Sequence, residues 1–362
     1  VRLDRTVLVH TSGREAQVLA TAVAGDHLEV VGNLVALHGF DAVQRWRHAV
    51  ARLDVREVRS LQAARALWWR CANALRALIV RGTASLPAAQ QALLIGFLLG
   101  DTRAVSSSVV DAFRSAGLTH LLAVSGANVA FVLVLVGPLL RRLRLAPRAL
   151  VGVVVVVGFA AMTRFEPSVL RASAMALVVI GARYVGRPVS SVRVLALAVI
   201  GLVLVDPFLV HSVGFALSTG ACAGIVLLAR PIARRVPGPR FVRDLLAVTI
   251  AAQIGVAPVL VGVFGTVAWV APASNLFAVP AAEPITVIGL PAALVAALWA
   301  PFAPVLLAPV RLLLLWVNAV ATAAAARPWS VAGAALSVIV LASALSQRHR
   351  SPDPTTIDAP DR

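Results

Sequence analysis

Residues 118–140 read LTHLLAVSGANVAFVLVLVGPLL and contain no charged side chain. A helix of about 20 apolar residues spans the hydrocarbon core of a bilayer, so this run is long enough to cross it. Similar apolar runs follow along the chain. We predict spans at residues 118–140, 149–163, 168–183, 192–205, 208–229, 245–264, 305–326 and 331–345. With a proline-rich stretch at 267–300, the sequence predicts a predominantly α-helical polytopic membrane protein of about 8–10 transmembrane or re-entrant helices.

The composition excludes an ordinary soluble domain. Of 362 residues, 59% are hydrophobic and 14% are charged, and the mean hydropathy is +0.88. The net charge of +17 comes from arginine alone, because the chain contains no lysine. A lysine-free bias reflects genomic base composition at least as much as function, so the charge by itself is weak evidence for nucleic-acid binding.

The chain divides into four predicted regions. Residues 1–60 alternate apolar and polar side chains in runs at 6–10, 16–23, 27–37 and 52–61, which predicts a small antiparallel β domain. Residues 61–117 are predicted to form interfacial and amphipathic helices at 61–81, 87–99 and 106–116. Residues 118–346 form the predicted membrane domain, and the polar tail at 347–362 is predicted to be disordered.

Arginine-rich connectors predict the orientation. Three alternate connectors, near residues 141–148, 183–193 and 230–243, carry most of the loop arginines, whereas the connectors between them carry few charges. The positive-inside rule therefore places the basic connectors in the cytoplasm and residues 1–60 outside the cytoplasmic membrane.

The stretch 267–300 contains Pro272, Pro280, Pro284 and Pro291 around Asn275. Because proline removes a backbone donor, this stretch predicts a broken or re-entrant helix that lines a polar cavity. Kinked packing of an intact helix is an equally supported interpretation.

Several kinds of chemistry lack a sequence signature. Cys71 and Cys222 fall in different predicted regions, no Cys/His metal spacing occurs, and no phosphate-binding Gly-x-x-x-x-Gly-Lys loop occurs. We therefore expect no disulfide, metal, cofactor or catalytic residue. The first residue is Val1 and no cleavable signal precedes the first polar segment, which favours a fragment of a longer protein.

Ordered motifs follow one another along the chain. They are GDTR at 100–103, FRSAGLTHLLAVSGANV at 113–129, PSVLRASAM at 167–175, GR at 186–187, DP at 206–207, VGFALS at 213–218, and the pairs at 257–258, 264–265, 275–276 and 279–280. The set resembles the ComEC family of competence DNA-uptake channels. The run GDHLEVVG at 25–32 is similar to the external OB-like domain of that family.

The resemblance implies a channel that moves single-stranded DNA inward across the cytoplasmic membrane during natural transformation. It implies an external DNA receptor as a partner, besides the bilayer. Because the chain has no ATP-binding loop, we expect a cytoplasmic ATP-driven motor or an ion gradient to set the direction. The nuclease of longer family members is truncated from this chain, encoded separately or absent. The chain departs from the family in two ways. Asn128 stands where most members have a second histidine, and no His-x-His-x-Asp-His cluster of the family's metallo-β-lactamase-like nuclease domain occurs.

Polar residues within or beside the apolar runs are the predicted functional positions, because a bilayer retains such groups only where protein, water or a polar passenger meets them. As DNA-path or gating residues we predict Asp101, Arg103, His120, Ser125, Asn128, Arg171, Arg187 and Ser218. As helix-breaking or structural residues we predict Gly126, Pro167, Pro207, Gly214, Asn275 and Pro280.

Alternative interpretations remain open for these residues. Arg171 suits a phosphate contact through its guanidinium fork, or an ion pair with Glu166 or Asp206. Arg103 has the same two interpretations, with Asp101 as its ion-pair partner. Ser218 and Thr219 are predicted to bond the carbonyl four residues earlier rather than a ligand, and Asp206 to cap the next helix.

Two other functions are alternatives for the whole chain. One is an intramembrane hydrolase or lipid-modifying enzyme that uses His120 and Ser125, although five residues on a helix place them roughly 140° apart. The other is a proton-coupled small-molecule transporter that uses Asp101, Glu166 or Glu283.

Overall fold

A computed structural model describes residues 6–11, 13–37, 49–264 and 271–326. The predicted span at 331–345 and the predicted tail at 347–362 lie outside these residues. Within them the chain forms a small N-terminal sheet followed by a large helical region. This confirms the predicted fold class, a polytopic helical membrane protein with a small N-terminal β domain.

The N-terminal sheet is mixed rather than antiparallel as predicted. Its strands are β1 (Thr6–His10), β2 (His27–Ala36) and β3 (Ala49–Gln62), in the order β1-β3-β2. β2 pairs antiparallel with β3, whereas β1 pairs parallel with β3. Parallel pairing requires a long crossover between the two strands, and β2 lies within that crossover. The OB-like assignment stays a prediction.

The run at 16–23, predicted as a strand, is mostly the helix α1 (Arg14–Ala20). Its sequence, REAQVLA, contains good helix formers, and Glu15 lies in the first turn, where an acid interacts favourably with the helix dipole. Helix propensity therefore outweighs the apolar and polar alternation that suggested a strand.

Three helices follow the sheet. They are α2 (Leu67–Gly82), α3 (Ala88–Leu99) and α4 (Ser107–Ser115). Helices are present at the runs predicted for 87–99 and 106–116, but residues 61–62 still belong to β3, so the first helix begins later than predicted. A Cβ at Gly82 would overlap the carbonyl oxygen of Ala293, which shows how closely α2 approaches a later helix.

The remaining helices follow the predicted apolar runs. They are α5 (Thr119–Leu122), α6 (Gly126–Leu140), α7 (Leu145–Met162), α8 (Pro167–Tyr184), α9 (Ser191–Val205), α10 (Val213–Ala233), α11 (Arg240–Phe264), α12 (Ala271–Leu298) and α13 (Ala303–Ala326). From α6 to α11 each helix contacts the next one and is joined to it by a short connector. Consecutive helices therefore run antiparallel, and α6, α8 and α10 begin on the same side.

The single span predicted at 118–140 is divided into α5 and α6. Ala123 has an extended backbone with ψ 144°, and Ser125 has φ −85° and ψ 158°, the conformation of a residue that precedes a helix. The extended backbone at these residues ends α5 before α6 begins, although the Ser125 side chain makes no capping bond to a backbone N–H of α6.

The helix predicted to break at its prolines is continuous. α12 extends from Ala271 to Leu298 and contains Pro280, Pro284 and Pro291, so the broken or re-entrant interpretation is wrong for these described residues. The indole nitrogen of Trp316, on α13, donates to the carbonyl oxygen of Phe277 at 2.9 Å. A neighbouring helix thus bonds α12 in the turn that precedes Pro280.

Five helical segments of the described chain are long and apolar enough to cross a membrane. They are Leu145–Met162, Val213–Ala233, Arg240–Val263, Ala273–Leu298 and Ala300–Ala326. α8 has a comparable length but is less apolar, because it carries Arg171 and Arg183. α6 and α9 are shorter apolar helices that pack against these spans.

A hydrophobic core lies where α2, α3, α4, α12 and α13 meet. Its fully buried side chains include Ile79, Leu94, Phe113, Ile285 and Leu314. This core holds the end of α3 next to the beginning of α6, and that junction carries the polar residues described below.

Candidate functional site

Asp101 lies between two arginines just after α3. Its Oδ2 is 3.1 Å from a terminal nitrogen of Arg76, which reaches it from α2. Arg103 binds the same carboxylate through two bonds, from Nε to Oδ1 at 2.8 Å and from NH2 to Oδ2 at 2.7 Å. Two parallel guanidinium bonds to one carboxylate fix both distance and orientation.

Arg76 also holds two helix ends. Its NH1 donates to the carbonyl oxygen of Met162, the last residue of α7, at 2.7 Å, and more weakly to that of Leu99, the last residue of α3, at 3.5 Å. The last carbonyls of a helix have no partner within it, so a cation there satisfies them. Arg76 is buried, and this network ties α2, α3 and α7 together.

The pKa values of this network follow from burial and pairing. The hydrogen bond from Arg103 lowers the pKa of Asp101 to about 2, against the opposing effect of burial. Burial lowers the pKa of Arg76 to about 10, assisted by the charge of Arg164, whereas Asp101 acts in the opposite direction. All three groups are therefore charged near neutral pH.

The N-terminal unit docks on α2 beside this network. The side-chain amide of Asn73 donates to the carbonyl oxygen of Ala24 at 2.8 Å. The backbone N–H of Ala64 donates to the carboxylate of Asp26 at 3.0 Å. Arg103, which is exposed, also reaches the carbonyl oxygen of Ala20 at 3.5 Å. The arginine that binds Asp101 thus also contacts the β unit.

Arg171 forms a second centre, one turn into α8. Its side chain is only 5% exposed, and its NH1 contacts the Sγ of Cys222 on α10. Its NH2 lies 2.7 Å from the point where a Cβ of residue 126 would be, so the guanidinium approaches the first residue of α6. Glycine at position 126 leaves room for this approach. The predicted residues Gly126 and Arg171 are therefore neighbours.

Hydrogen bonds define the segment that leads into α6. The Ser125 hydroxyl donates to the Oδ1 of Asn128 at 3.0 Å, and the Asn128 amide nitrogen donates to the carbonyl oxygen of Phe97 at 3.1 Å. The Ser168 hydroxyl donates to the carbonyl oxygen of Val124 at 2.6 Å. These bonds connect the beginning of α6 to the C-terminal end of α3 and to the first turn of α8. Asn128 acts here as both donor and acceptor.

Three buried polar side-chain atoms of α8 and α10 have no hydrogen-bond partner within the described chain. They are Arg171 Nε, Ser173 Oγ and Thr219 Oγ1. The predicted bond from Thr219 to the carbonyl four residues earlier is therefore wrong. Buried donors without acceptors carry a desolvation cost, so such groups are common where a ligand or water binds.

Three other predicted site residues lie in α5, beyond the end of α8 and on α10. His120 is exposed in the short helix α5, and the Ser125 hydroxyl bonds Asn128 rather than His120. Arg187 is exposed beyond the far end of α8, whose 18 residues correspond to roughly 27 Å of helix. Ser218 is half-buried on α10, one turn before Cys222.

The predicted structural residues take varied positions. Pro167 is the first residue of α8, and a Cβ at Gly214 would lie 3.8 Å from its ring, which brings α8 and α10 close together. Asp206 accepts from the backbone N–H of Phe208 at 3.0 Å, which confirms the predicted cap, and Pro207 begins a short 3₁₀ helix, Pro207–His211. Asn275 lies within α12, and its buried Oδ1 has no partner among the described residues.

Sequence reasoning missed Arg76, Ser168 and Cys222 as members of these networks. A signal existed for Arg76, because it is spaced four residues after Ala72 and three before Ile79, on the buried face of α2. We predicted an interfacial helix at 61–81, whereas Arg76 is buried against other helices. The sequence carries no comparable signal for Cys222 or Ser168, whose partners lie in distant segments.

The chain is similar to known proteins over most of its helical region. The family model described as Competence protein matches residues 97–348. ComE operon protein 3 of Bacillus subtilis (strain 168) is 27% identical over 209 residues, which are 57% of this chain and 26% of that protein. Uncharacterized protein YcaI of Escherichia coli (strain K12) is 27% identical over 277 residues, 73% of this chain and 36% of that protein.

No solved structure matches the chain. The chain spans about a quarter to a third of the length of the two curated relatives. The family match begins just before Asp101 and contains both Arg103 and the whole Arg171 centre. It extends over more than half of the chain, so this protein belongs to the Competence protein family, the ComEC family that its motifs resemble.

Proposed function

We propose that this chain forms a channel through which single-stranded DNA crosses the cytoplasmic membrane inward during natural transformation. The observation that carries the proposal is the Competence protein match over residues 97–348, because this range contains the buried arginine centre at the beginning of α6. The name of ComE operon protein 3 agrees with a role in competence.

The physical requirement of such a channel is a polar and positively biased passage, because a phosphodiester chain cannot be stripped of water in hydrocarbon. Arg171 supports this role, since a buried guanidinium with an unsatisfied Nε is suited to a passing phosphate. Arg103 is exposed near the N-terminal unit and supports an earlier contact on the same path. We include Asp101, Ser125, Asn128 and Ser218 as residues that shape or gate the path.

His120 and Arg187 are proposed as more peripheral members of the same path. Both are exposed, and each lies near one end of the membrane helices. Arginines placed in stages along a passage attract a polyanion without sequence preference.

The proposed location is the inner membrane, with residues 1–60 outside the cytoplasm. The alternation of basic and nearly uncharged connectors between antiparallel helices supports this orientation. In this arrangement the external β unit receives the strand from a DNA receptor. A cytoplasmic ATP-driven motor and a separately encoded nuclease are the further partners of the channel.

Uptake of fluorescent DNA tests the proposal. A naturally transformable strain whose own copy is deleted would carry Arg171→Ala, Arg171→Lys or Arg103→Ala, and cytoplasmic fluorescence would be measured at equal protein levels. We expect Arg171→Ala to abolish most uptake and Arg171→Lys to restore part of it, because lysine keeps the charge but not the fork. Arg183→Ala is the matched control, since this arginine is exposed at the other end of α8. Normal uptake with both alanine variants would refute the arginine path.

A further inference from the structure

Two tryptophans at the beginning of α2 form a stacked pair. The ring centroids of Trp68 and Trp69 lie 4.0 Å apart, with an interplanar angle of 27°. Phe165, in the connector between α7 and α8, lies edge-on to both indoles, with its ring centroid 6.2 Å from each. Aromatic pairs in these arrangements attract one another beyond the effect of burial. The three rings therefore form one aromatic cluster, which joins the beginning of α2 to the connector before α8.

The connector that carries Phe165 has an unusual backbone. Arg164 and Phe165 have φ angles of 58° and 54°, in the left-handed region that bulky residues rarely adopt. The backbone N–H of Phe165 donates to the carbonyl oxygen of Ala160 at 2.8 Å, which ends α7. Such conformations persist where the surrounding structure holds them. Here the ring of Phe165 is held against the tryptophan pair, and Arg164 is exposed beside it.

Trp68 is half exposed, although tryptophan is a largely buried residue on average. Its neighbour Trp69 packs against the β unit, because a Cβ at Gly25 would overlap the indole of Trp69. One turn further along α2, Asn73 donates to the carbonyl oxygen of Ala24. The first two turns of α2 therefore lie at the level of the β unit rather than within hydrocarbon. An exposed indole at this level is available to a ligand in water.

The charges around the cluster are mainly positive. Arg65 and Arg70 are exposed within three residues of Trp68, and Arg164 is exposed next to Phe165. Glu166 supplies one negative charge in the same connector, and the carboxylate of Asp101 is already bound by two arginines. An aromatic face among guanidinium groups suits a ligand that has both a π face and negative charge.

We propose that Trp68 stacks on an unpaired base of single-stranded DNA, while the arginines beside it attract the phosphate backbone. The identity of this ligand as the translocated strand rests on the proposed function. Every base has a π face, so the site has little sequence preference. In a duplex the bases are already stacked on one another, so the site favours single strands.

The cluster lies at the end of α8 that also carries Arg171. Phe165 is two residues before Pro167, the first residue of α8, and Pro167 and Arg171 are separated by roughly 6 Å of helical rise. In the same first turn, the Ser168 hydroxyl bonds the carbonyl oxygen of Val124, just before α6. A strand received at Trp68 is therefore close to the Arg171 centre.

Binding of a fluorescein-labelled oligothymidylate tests the site. Fluorescence anisotropy would be measured with the purified full chain in dodecyl maltoside. Trp68→Leu keeps an apolar side chain but removes the π face, so the affinity should fall by about 5- to 150-fold, whereas Trp68→Phe should retain most of it. Trp299→Leu is the matched control and should bind like the parent. Trp299 is 66% exposed and follows α12, whose last turns pack against Gly82 at the opposite end of α2.

Duplex DNA and salt separate stacking from charge. Trp68→Leu should leave the affinity for a duplex of the same length and the salt dependence of single-strand binding unchanged. Arg164→Gln should instead lower the slope of log K against log salt by about 0.7, the value for one phosphate contact on a single strand. Equal single-strand affinity in Trp68→Leu and the parent would assign Trp68 to the lipid interface and overturn the site. Equal losses for single-stranded and duplex DNA would also overturn it.

Photocrosslinking tests the same site in the unsubstituted chain. An oligonucleotide that contains 5-iododeoxyuridine would be bound and irradiated, and adducts would be mapped by mass spectrometry. We expect an adduct at Trp68, and adducts confined to other parts of the chain would contradict the stacking site.

The DNA-uptake assay distinguishes this inference from the proposed function. Loss of uptake in Arg171→Ala, with parental single-strand affinity in Trp68→Leu, would leave the channel and remove the stacking site. Weakened single-strand binding in Trp68→Leu, with normal uptake in Arg171→Ala and Arg103→Ala, would leave the stacking site and remove the arginine path.

Discussion

The guanidinium of Arg76 lies 3.1 Å from the carboxylate of Asp101, although the two residues are 25 positions apart. Arg103 binds the same carboxylate from the other side, and Arg76 also donates to the carbonyl oxygen of Met162. One carboxylate therefore balances a buried arginine on α2 and an exposed arginine near the N-terminal unit. The junction of α2, α3 and α7 depends on this network.

Removing Arg76 should destabilise the protein. Arg76→Gln leaves Asp101 and the end of α7 without their buried partner, and breaking a buried pair from one side costs about 3 kcal/mol. Chemical unfolding in mixed micelles measures the change in the free energy of unfolding. Arg70→Gln is the control, because Arg70 is exposed on the same helix and should change stability by less than about 0.5 kcal/mol. Equal losses in the two variants would contradict this role.

Acid should weaken the same network at a defined pH. The pKa of Asp101 is lowered from 3.8 to about 2 by its bond to Arg103. A carboxyl whose pKa is lower in the folded state stabilises the fold above its unfolded pKa, and that contribution is lost as pH falls from about 4 to about 2. Asp101→Asn should remove this part of the pH dependence of the melting temperature. Asp244→Asn, at an exposed carboxylate, should preserve it.

Local patterns were sufficient for most helices and insufficient for long-range contacts. Apolar runs predicted α7 to α11 and α13 because a chain in hydrocarbon must satisfy its backbone within each segment. The bond from Trp316 to the carbonyl oxygen of Phe277, 39 residues earlier in the chain, is one that no local pattern indicates. The parallel pairing of β1 with β3 is nonlocal in the same way.

The candidate site was predicted in part. Arg171, Ser125 and Asn128 stood out because polar residues at the ends of apolar runs are expensive in a bilayer, and Gly126 was predicted as a helix-breaking or structural residue. Their proximity could not be predicted, since it depends on how α6, α8 and α10 pack. The burial of Arg76 could have been inferred from its spacing relative to the buried residues Ala72 and Ile79 of α2. The other arginines of this helix suggested an interfacial position for the whole segment.

The crossing of α10 and α11 depends on glycine. A Cβ at Gly255 would overlap the carbonyl oxygen of Gly220, and one at Gly224 would overlap that of Ala251. Gly255→Ala should therefore separate the two helices and destabilise the protein by about 1–3 kcal/mol. Gly262→Ala, on the same helix with nothing within 4 Å of its Cβ position, should be neutral or stabilising by up to about 1 kcal/mol. Unfolding titrations in which both variants behave alike would exclude close packing at Gly255.

The bond between Trp316 and Phe277 should contribute measurably to α12 and α13. Trp316→Phe keeps an aromatic ring but removes the donor to the Phe277 carbonyl, at a cost of about 1 kcal/mol. Trp299→Phe is the control, because this tryptophan is 66% exposed between the two helices. A shift in the unfolding midpoint confined to Trp316→Phe is the expected result, and no shift there would show that the carbonyl needs no such partner.

Crosslinking of a translocating strand to Cys222 tests the central claim most directly. A single-stranded oligonucleotide with a bromoacetamide on one phosphate would be supplied to cells that carry the Cys71→Ser chain, and adducts would be mapped by mass spectrometry. Passage of the strand past Arg171 predicts an adduct at Cys222 that persists in Gly137→Ala, where an added Cβ meets nothing within 4 Å. The adduct should disappear in Gly126→Ala, where an added Cβ would displace the guanidinium of Arg171. Normal transformation without an adduct at Cys222 would contradict a DNA path through this site.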